Sequence, residues 1–426
     1  MGINGQREFD LLNKIGFIRT AGSAEELKAA EILKAEVESM GLEAKIEPFE
    51  IWDAVCEKAE LEVIEPYQKK YTVTCYKGCA DCENLEAEFA YVDNGGDVAL
   101  KNVKGKIVLV NGYLRYPLYK KLMDAGVAGF ITYSGTLLET EDDSDLFTRT
   151  LRETLRTVGV IPGVNMRATD AFDMVKNHAS KVRMTTKNHE ITLESRNVTT
   201  EIKGTKYPDE VVVFGAHMDS VPFSTGVYDN GAGSVIHMEV LRHFVENPPA
   251  RTIRFCWYGS EEIGLEGSKA WVRDHKDELK NVVYMINTDV GGCVLGSDTA
   301  IVLGSKEFTN YTDAYMKANG FDVDVKQDIY SSDCVPFADN GIPSINFMRF
   351  SRDGGAFIHC RHDIIDFLSG DSLAKTTEYV TAFADHVVNS VVFPEKRAIP
   401  EEMKEKVDKY LYKKEMEEAK KAKEEK

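Results

Sequence analysis

The chain has 426 residues, of which 43% are hydrophobic, and a formal net charge of −18 at pH 7. This length allows two domains, or one large domain with an insert. The acidic excess and the lack of an apolar run of membrane length argue against nucleic acid and membranes as partners.

The first residues, "MGINGQREFDLLNKIGFIRTAGS", lack the basic and apolar regions of a secretory signal, which favours a cytoplasmic location. Ser23 and Glu26 then have the spacing of a capping box. The apolar residues that follow recur at helical spacing as far as Gly41, so this segment predicts a helix that leads into a strand. We assign residues 1–58 to the amino-terminal part of the main domain.

Residues 59–188 predict a smaller αβ domain, in which "KIVLVNG" and "GFITYSG" are strands on either side of a helix over 118–125. Cys75, Cys79 and Cys82 have a spacing that an iron–sulfur cluster can use, but no cofactor-binding pattern accompanies them. We interpret the eight cysteines as thiols rather than as a disulfide framework.

Residues 189–394 alternate strands and helices, which predicts an α/β fold with a mixed, largely parallel sheet. The β-rich runs are "DEVVVFGAH", "RTIRFCWYG", "NVVYMINTD" and "IPSINFM". Residues 395–426 form a highly charged segment that predicts a solvated helical tail.

Polar residues stand where these strands stop. In an open α/β sheet, ligands bind beyond the carboxyl ends of the strands, so the polar groups are expected to meet in one crevice. Buried carboxylates would repel one another unless cations were present, and mixed histidine and carboxylate ligands suit zinc or a similar metal. The residues at strand ends are His217, Asp219, Glu261, Glu262 and Asp289, and they are joined by Asp229, which precedes a Gly-rich helix start, and by His359 late in the chain.

Glu261 and Glu262 are adjacent, and neighbours on an extended chain point in opposite directions. One of them can therefore hold a metal ion while the other acts as a general base on a water molecule.

Six segments in this order and spacing resemble the two-zinc aminopeptidases of metallopeptidase family twenty-eight, the leucyl-aminopeptidase group. They are "GAHMDSV", "YDNGAGS", "WYGSEEIGLEGS", "NTDVGG", "SDCVPFADNGIPSI" and "IHCRHDIIDFLS". The resemblance implies a zinc exopeptidase fold, a three-layer α/β sandwich around a mixed sheet. The middle piece resembles the inserted protease-associated domain that many members carry.

The resemblance implies two zinc ions per chain, although such sites also accept manganese or cobalt. One ion would be held by His217, Asp229 and Asp289, and the other by Asp229, Glu262 and His359, so that Asp229 bridges the two. Asp219 would orient His217, and Glu261 would be the general base. The implied substrates are peptides, which would lose their amino-terminal residue.

His362 competes locally with His359, but the spacing from His359 to Asp363 and Asp366 fits the family's closing motif better. The chain also departs from some members. Ile358 stands where they place a tyrosine that assists the reaction, Cys334 where histidine is frequent, and Ser331 where some carry a substrate-binding arginine. The candidate replacements are Tyr330, Arg349, Arg352 and Arg361, although each is more simply a surface or packing residue.

Alternative functions share this fold. A carboxypeptidase or dipeptidase on the same two-metal core is the second hypothesis, because arginines such as those in "FMRFSRDGG" could grip an acidic end group. A receptor-like binding protein and a glutaminyl cyclase with a single zinc ion are less favoured, because all five implied metal ligands are present. The sequence leaves the oligomeric state open, and a homodimer is compatible with it.

Overall fold

The computed structural model describes residues 2–140 and 143–424, which fall into two units. The first unit comprises the chain up to Ile51 together with Glu194–Leu411, and the second comprises Trp52–Leu193 and the described residues from Tyr412 onward. The predicted domain over 59–188 lies within the second unit. Residues 141–142 of that domain and 425–426 of the predicted tail lie outside the described residues.

The strands and helices are numbered in chain order. The strands are β1 (Ala44–Glu65), β2 (Lys69–Tyr71), β3 (Val73–Cys75), β4 (Cys82–Tyr91), β5 (Ile107–Leu109), β6 (Gly129–Ser134), β7 (Gly163–Arg167), β8 (Lys181–Ile202), β9 (Tyr207–His217), β10 (Arg251–Tyr258), β11 (Val282–Thr288), β12 (Gly296–Leu303), β13 (Val323–Gln327) and β14 (Ser344–Ser351). The helices are α1 (Gly5–Ile15), α2 (Ala24–Glu38), α3 (Tyr116–Asp124), α4 (Glu153–Arg156), α5 (Ala168–Lys176), α6 (Ala232–Glu246), α7 (Glu266–Asp274), α8 (Lys306–Ala318), α9 (Cys334–Asp339), α10 (Gly370–Val388), α11 (Glu401–Tyr410) and α12 (Lys413–Glu424).

The first unit has a mixed sheet with the strand order β13-β12-β14-β11-β9-β10-β8. Its centre is parallel, because β14, β11, β9 and β10 all run in the same direction. The outer strands β12 and β8 are antiparallel to their inner neighbours. The carboxyl ends of the four parallel strands therefore lie along the same edge of the sheet.

Alternate residues of the central strands pack against helices on opposite faces of this sheet, as the period of a strand requires. Phe214 and Phe255 belong to one core with α1, α6 and α10, and their stacked rings lie 4.6 Å apart. Val213 and Cys256 belong to the other core, with α7, α9 and α11. The first unit is thus the expected three-layer α/β sandwich.

The capping residue predicted for α2 is in place. The Ser23 hydroxyl accepts a hydrogen bond from the Glu26 amide at 3.0 Å. The Glu26 carboxylate accepts one from the Gly22 amide, also at 3.0 Å, rather than from the amide of Ser23. The Glu26 carboxylate therefore binds the amide one residue before the one that a capping box uses.

The charged tail differs from the prediction of a solvated helix. Met403 and Val407 of α11 are each only 1% exposed and join the core that contains Val335 and Phe337 of α9. Four residues separate Met403 from Val407, so the two apolar side chains share one face of an otherwise charged helix. The prediction was wrong for this part of the tail because two apolar residues are enough to dock a helix.

The second unit has the strand order β8-β4-β5-β6-β7-β3. Strands β4 to β7 are parallel, and α3 lies between β5 and β6 in the chain. Its core is built around Tyr119 and Phe130, whose rings meet edge to face. None of the described helices in either unit combines the length and the apolar character that crossing a membrane requires.

A disulfide joins Cys56 to Cys75 in the second unit, with Cα atoms 5.9 Å apart. The prediction that all cysteines are thiols was therefore wrong for this pair, because the fold brings together residues that are 19 positions apart in the chain. Cys79 and Cys82 remain thiols, and because the disulfide engages Cys75, only two of the three cysteines of the motif stay available as ligands.

Candidate metal centre

Three adjacent parallel strands of the first unit end at the same place, and each is followed by acidic residues. Strand β9 ends at His217, β10 leads into Glu261 and Glu262, and β11 is followed directly by Asp289. The register pairs His217 of β9 with Tyr258 of β10, so these strand ends are level. The polar residues predicted to converge do so at this edge.

The first group of ligand atoms surrounds His217. Its Nε2 atom lies 3.1 Å from Asp229 Oδ1 and 3.6 Å from Asp289 Oδ1. His217, Asp229 and Asp289 each offer one ligand atom, and these three atoms lie within 4.8 Å of one another. All three residues are buried.

The second group uses the other oxygen atom of Asp229. His359 Nε2 lies 3.1 Å from Asp229 Oδ2 and 3.0 Å from Glu262 Oε2. Asp229 therefore faces one histidine with each of its carboxylate oxygens. His362, the local competitor, packs its ring against Phe357 instead.

Glu261 belongs to a third, overlapping group. One of its carboxylate oxygens, a His217 nitrogen and a Glu262 oxygen also lie within 4.8 Å of one another. Glu261 is thus at the centre, and its side chain retains access to solvent.

Asp219 connects the first two strand ends. Its Oδ1 atom lies 3.4 Å from His217 Nδ1 and accepts a hydrogen bond from the Glu261 amide at 2.9 Å, while Oδ2 accepts one from the Glu262 amide at 3.2 Å. This fully buried carboxylate lies beside the imidazole on one side and is hydrogen-bonded to the main chain of the paired glutamates on the other.

The segment that carries Asp229 is fixed by two residues that the sequence analysis gave no role in the site. The Asp363 carboxylate accepts hydrogen bonds from the amides of Tyr228 and Asp229, at 2.8 and 3.2 Å. The Asn230 side chain donates to the Thr288 carbonyl at 2.8 Å and accepts from the Val290 amide at 3.2 Å, so it grips the chain on both sides of Asp289. The only sequence signal for them was their place within the quoted motifs.

Glu26 was assigned only to the helix cap, yet it also supports the paired glutamates. Its Oε1 atom accepts hydrogen bonds from the hydroxyls of Ser195 at 2.9 Å and Ser260 at 3.4 Å. Ser260 directly precedes Glu261 and has a φ of 57°. The amino-terminal end of α2 therefore reaches the turn that presents Glu261 and Glu262.

Burial and mutual repulsion change the acidity of the carboxyl groups. Burial is the main cause that raises the pKa of Glu262 to about 7, and the charge of Asp229 adds to it. Burial also raises the pKa of Asp289. For Asp229, the hydrogen bonds with His217 and His359 outweigh burial and lower its pKa below the usual range.

The two histidines show the complementary effect. Burial lowers the pKa of His217, but Asp219, Asp229 and Asp289 raise it by more, so that the net pKa lies well above the ordinary value. Partial burial lowers the pKa of His359, and Asp229 and Glu262 then raise it to about 11.

This donor set fits divalent cations. Two imidazoles and three carboxylates point ligand atoms at two overlapping positions, and such mixed nitrogen and oxygen sets suit zinc and related metals. Asp289 Oδ1 has no hydrogen-bond partner within the described chain, although it is buried. Such an oxygen is costly to bury unless a cation or a water molecule binds it.

Arg349, one of the candidate substrate-binding residues, forms structural contacts within the protein. It forms a buried ion pair with Asp298 at 3.0 Å and donates to the Cys293 carbonyl at 2.7 Å. Arg352 donates to the Ser297 hydroxyl at 3.0 Å, and the Arg361 guanidinium lies over the Phe223 ring.

Tyr330 differs from these arginines. Its ring packs edge to face against Phe350. Burial raises the pKa of its phenol, and the charges of Asp289 and Asp229 raise that pKa further. Of the departures from the family pattern, Cys334 is buried, whereas the Ile358 side chain is 45% exposed beside His359.

The model of "Peptidase family M28" matches residues 197–384, a range that contains all seven predicted site residues. This segment of the chain matches peptidase family M28. The match over this segment, together with the aminopeptidase relatives, makes the protein a hydrolase of the metallopeptidase class.

Individual proteins are similar to this chain over most of its length. "Aminopeptidase YwaD" of Bacillus subtilis (strain 168) is 28% identical over 407 residues, which cover 91% of this chain and 85% of that protein. The solved structure of BSAP, a zinc aminopeptidase from Bacillus subtilis, has a TM-score of 0.74 at 25% identity and covers 92% of this chain and 98% of that one. "Carboxypeptidase Q" of Bos taurus is 26% identical over 312 residues, which are 67% of this chain and 65% of that protein.

Proposed function

We propose that this protein is an aminopeptidase that uses two zinc ions per chain to hydrolyse the first peptide bond of peptides. His217, Asp229 and Asp289 would hold one ion, and Asp229, Glu262 and His359 would hold the other. Manganese or cobalt could replace zinc in such a donor set. The names of the relatives support the aminopeptidase activity and the choice of zinc.

The position of Asp229 is the observation that carries this proposal. Its two oxygens lie 3.1 Å from His217 Nε2 and 3.1 Å from His359 Nε2, so a single carboxylate serves both groups of ligand atoms. A site built for one cation would not need a carboxylate shared between two histidines that belong to separate groups.

When bound, two such ions would supply a water molecule of lowered pKa and would polarise the peptide carbonyl. Asp219, which lies 3.4 Å from Nδ1, would orient the His217 ring with Nε2 directed at the centre. Asp363 and Asn230 fix the main chain of the shared Asp229 and of Asp289.

Glu261 would take the proton from the attacking water and pass it to the amine that leaves when the carbon–nitrogen bond breaks. Burial raises the pKa of Glu261 well above that of an ordinary glutamate, and the charges of Glu262, Asp333 and Asp289 contribute, whereas His217 opposes them. The partial exposure of the side chain lets a substrate reach it.

The amino end is the favoured site of cleavage. A free substrate amine is cationic, and the surrounding carboxylates attract it. Gripping a carboxyl end would need an available cation, yet Arg349, the most buried of the arginines considered, is committed to Asp298.

We also propose that the second unit is a protease-associated domain. The strand–helix–strand order of β5, α3 and β6 and the parallel core of β4 to β7 support this assignment.

The test is hydrolysis of matched short peptides with a free amine, an acetylated amine or an amidated carboxyl end, read by mass spectrometry. We expect free-amine peptides to lose their first residue, amidation to be tolerated and acetylation to block cleavage. Cleavage that requires a free carboxyl end would replace this proposal with a carboxypeptidase. No cleavage by protein that has bound zinc would refute peptides of this kind as substrates.

A further inference from the structure

Arg19 is a fully buried arginine, with an exposed fraction of 0%, in the segment between α1 and α2. Its five side-chain hydrogen bonds within the described chain all go to main-chain carbonyl oxygens. A guanidinium presents its donors in a rigid fork, so contacts of this number fix the relative positions of the segments that they join.

Two of these segments carry metal ligands. The Nε atom donates to the carbonyl of Met218, which stands between His217 and Asp219. Nη1 donates to Thr225 and Nη2 to Gly226, the latter at 2.7 Å, on the chain that leads to Asp229. One side chain therefore holds the main chain beside His217 and the main chain before Asp229.

The main chain of Arg19 adds a second connection. The Arg19 amide donates to the Ser220 hydroxyl at 3.1 Å, and the Ser220 amide donates to the Arg19 carbonyl at 3.2 Å. The Ser220 hydroxyl in turn donates to the Ser224 carbonyl at 3.1 Å. Arg19 is thus bonded to the His217 segment through both its backbone and its side chain.

The third anchor is the end of α1. Nη1 also contacts the carbonyls of Ile15 and Phe17, at 3.0 and 3.1 Å. Ile15 is itself fully buried in the core shared with α6 and α10. The guanidinium is therefore tied to a packed helix and not only to the two ligand segments.

The loop is shaped to receive this side chain. Gly226 has a φ of 60°, and a Cβ atom there would lie 2.6 Å from Ser220 Cβ and 3.1 Å from Arg19 Nη1. A larger residue would push the loop away from the guanidinium. Burial lowers the pKa of Arg19 to about 10, against the raising effect of Asp363, Asp219, Asp229 and Glu262, so the group stays charged at neutral pH.

We propose that Arg19 is a positioning residue of the metal centre, which sets metal affinity by fixing the main chain of the segments that carry His217 and Asp229. The residue lies outside the range 197–384 that the family model matches. This inference rests on the proposed function, because it assumes that these residues bind zinc.

The test compares Arg19→Lys with Arg251→Lys, both in the full chain. Arg251 is a matched control, because it is 1% exposed and also donates to main-chain carbonyls, those of Val388 and Ser390. It lies at the start of β10, whereas the metal centre lies beyond the end of that strand. Zinc affinity of the metal-free proteins is measured by competition with a chromogenic chelator, and thermal stability is measured in parallel.

The Arg19→Lys substitution keeps the positive charge but loses the planar, forked set of N–H donors. We expect Arg19→Lys to bind zinc roughly 10–100-fold more weakly than the unmodified protein, as is typical when a residue that orients a ligand is changed. Arg251→Lys should lose stability without losing affinity. If both variants lose only stability, Arg19 has no special role at the metal centre and the proposal is wrong.

Arg19→Met separates position from charge. If Arg19 acted only through its charge, the lysine variant would bind zinc normally and the methionine variant more tightly, which would overturn the positioning role. If Arg19→Lys does not fold, Ser220→Ala replaces it, and a fall in affinity is again expected, whereas unchanged affinity contradicts the proposal. Failure of the proposed function would appear in the unmodified protein, as no zinc binding or no peptide cleavage.

Discussion

At the scale of single residues, the adjacent glutamates face different partners while Asp219 accepts hydrogen bonds from both of their amides. The two hydrogen bonds, at 2.9 and 3.2 Å, keep the main chain of Glu261 and Glu262 in one fixed turn. Glu262 then faces His359 at 3.0 Å, while Glu261 stands beside His217 with access to solvent. Neighbouring positions can thus supply a ligand and a base.

Replacing Glu261 by glutamine should remove the base and leave the metal ligands in place. We expect kcat to fall about 10²–10⁴-fold, which is the usual contribution of general acid–base catalysis. The zinc content should not change. Glu266→Gln is the control, because Glu266 pairs with Lys269 on α7, and it should keep normal activity. Normal turnover by Glu261→Gln would show that another group moves the proton.

The sequence pointed to the histidines and carboxylates of the candidate centre, Asp219 included, but not to the residues that hold their main chain. His217 and Asp289 stand out because ionisable residues at the ends of apolar strands are unusual, and Asp229 stands out by its place in the motif "YDNGAGS". Arg19 gave no such signal, because its partners are main-chain carbonyls that any residue supplies, and most of them are about 200 positions away. Contacts of this kind become visible only in the folded chain.

At the scale of elements, α1 and α10 are joined by a buried carboxyl group. Glu8 of α1 is 2% exposed and accepts a hydrogen bond from the Thr377 hydroxyl of α10. Burial raises the pKa of Glu8 to about 8, with the charge of Glu239 adding to this effect and Thr377 and Arg7 opposing it. The folded protein therefore keeps a proton on Glu8 that the unfolded chain releases at lower pH.

This difference predicts that the free energy of unfolding falls as the pH rises from about 4.5 to 8. Over that range the folded state binds the extra proton, so Glu8 contributes a slope of at most about 1.4 kcal/mol per pH unit. Glu8→Gln should flatten the slope in urea unfolding of the metal-free protein, whereas Glu31→Gln on the exposed face of α2 should not. Equal slopes in all three proteins would exclude Glu8 as the cause.

Helix α11 shows where sequence patterns fail for elements. Its composition predicts a solvated helix, and the helix itself is present, but the burial of Met403 and Val407 was missed. A pattern of two apolar residues four positions apart is too short to be distinguished from chance. By contrast, the capping residue Ser23 of α2 was predicted correctly, because its hydrogen bond joins residues close together in the chain.

Met403→Ala should therefore destabilise the first unit by about 2–5 kcal/mol, as is usual for a large side chain removed from a core. Lys404→Ala, at the exposed neighbouring position, should change stability by less than about 0.5 kcal/mol. Urea unfolding measures both. If neither substitution changes the free energy of unfolding, the interpretation of this helix as solvated would be correct.

At the scale of the whole molecule, the fold class followed from the alternation of strands and helices, whereas the disulfide did not. Cys56 lies in β1 and Cys75 in β3, and nothing in their spacing indicates the pairing. Disulfides are typical of oxidising compartments. The cytoplasmic location therefore stays a prediction, which fractionation of the producing cells would test.

Peptide mapping without reductant should recover a linked Cys56–Cys75 pair. Replacing both cysteines by serine should destabilise the second unit by about 3 kcal/mol, because the bond closes a loop of this size in the unfolded chain. Cys82→Ser is the control, and it should lower the stability of the second unit by less than the double substitution does. A map in which both cysteines are found as thiols would contradict the pairing.

The measurement that tests the central claim most directly is a zinc titration of the metal-free protein with a free-amine peptide as substrate. Bound zinc and peptidase activity should both reach a plateau at two ions per chain, because Asp229 shares its two oxygens between two groups of ligands. Full activity at one ion per chain, or activity that persists without metal, would contradict the two-metal account.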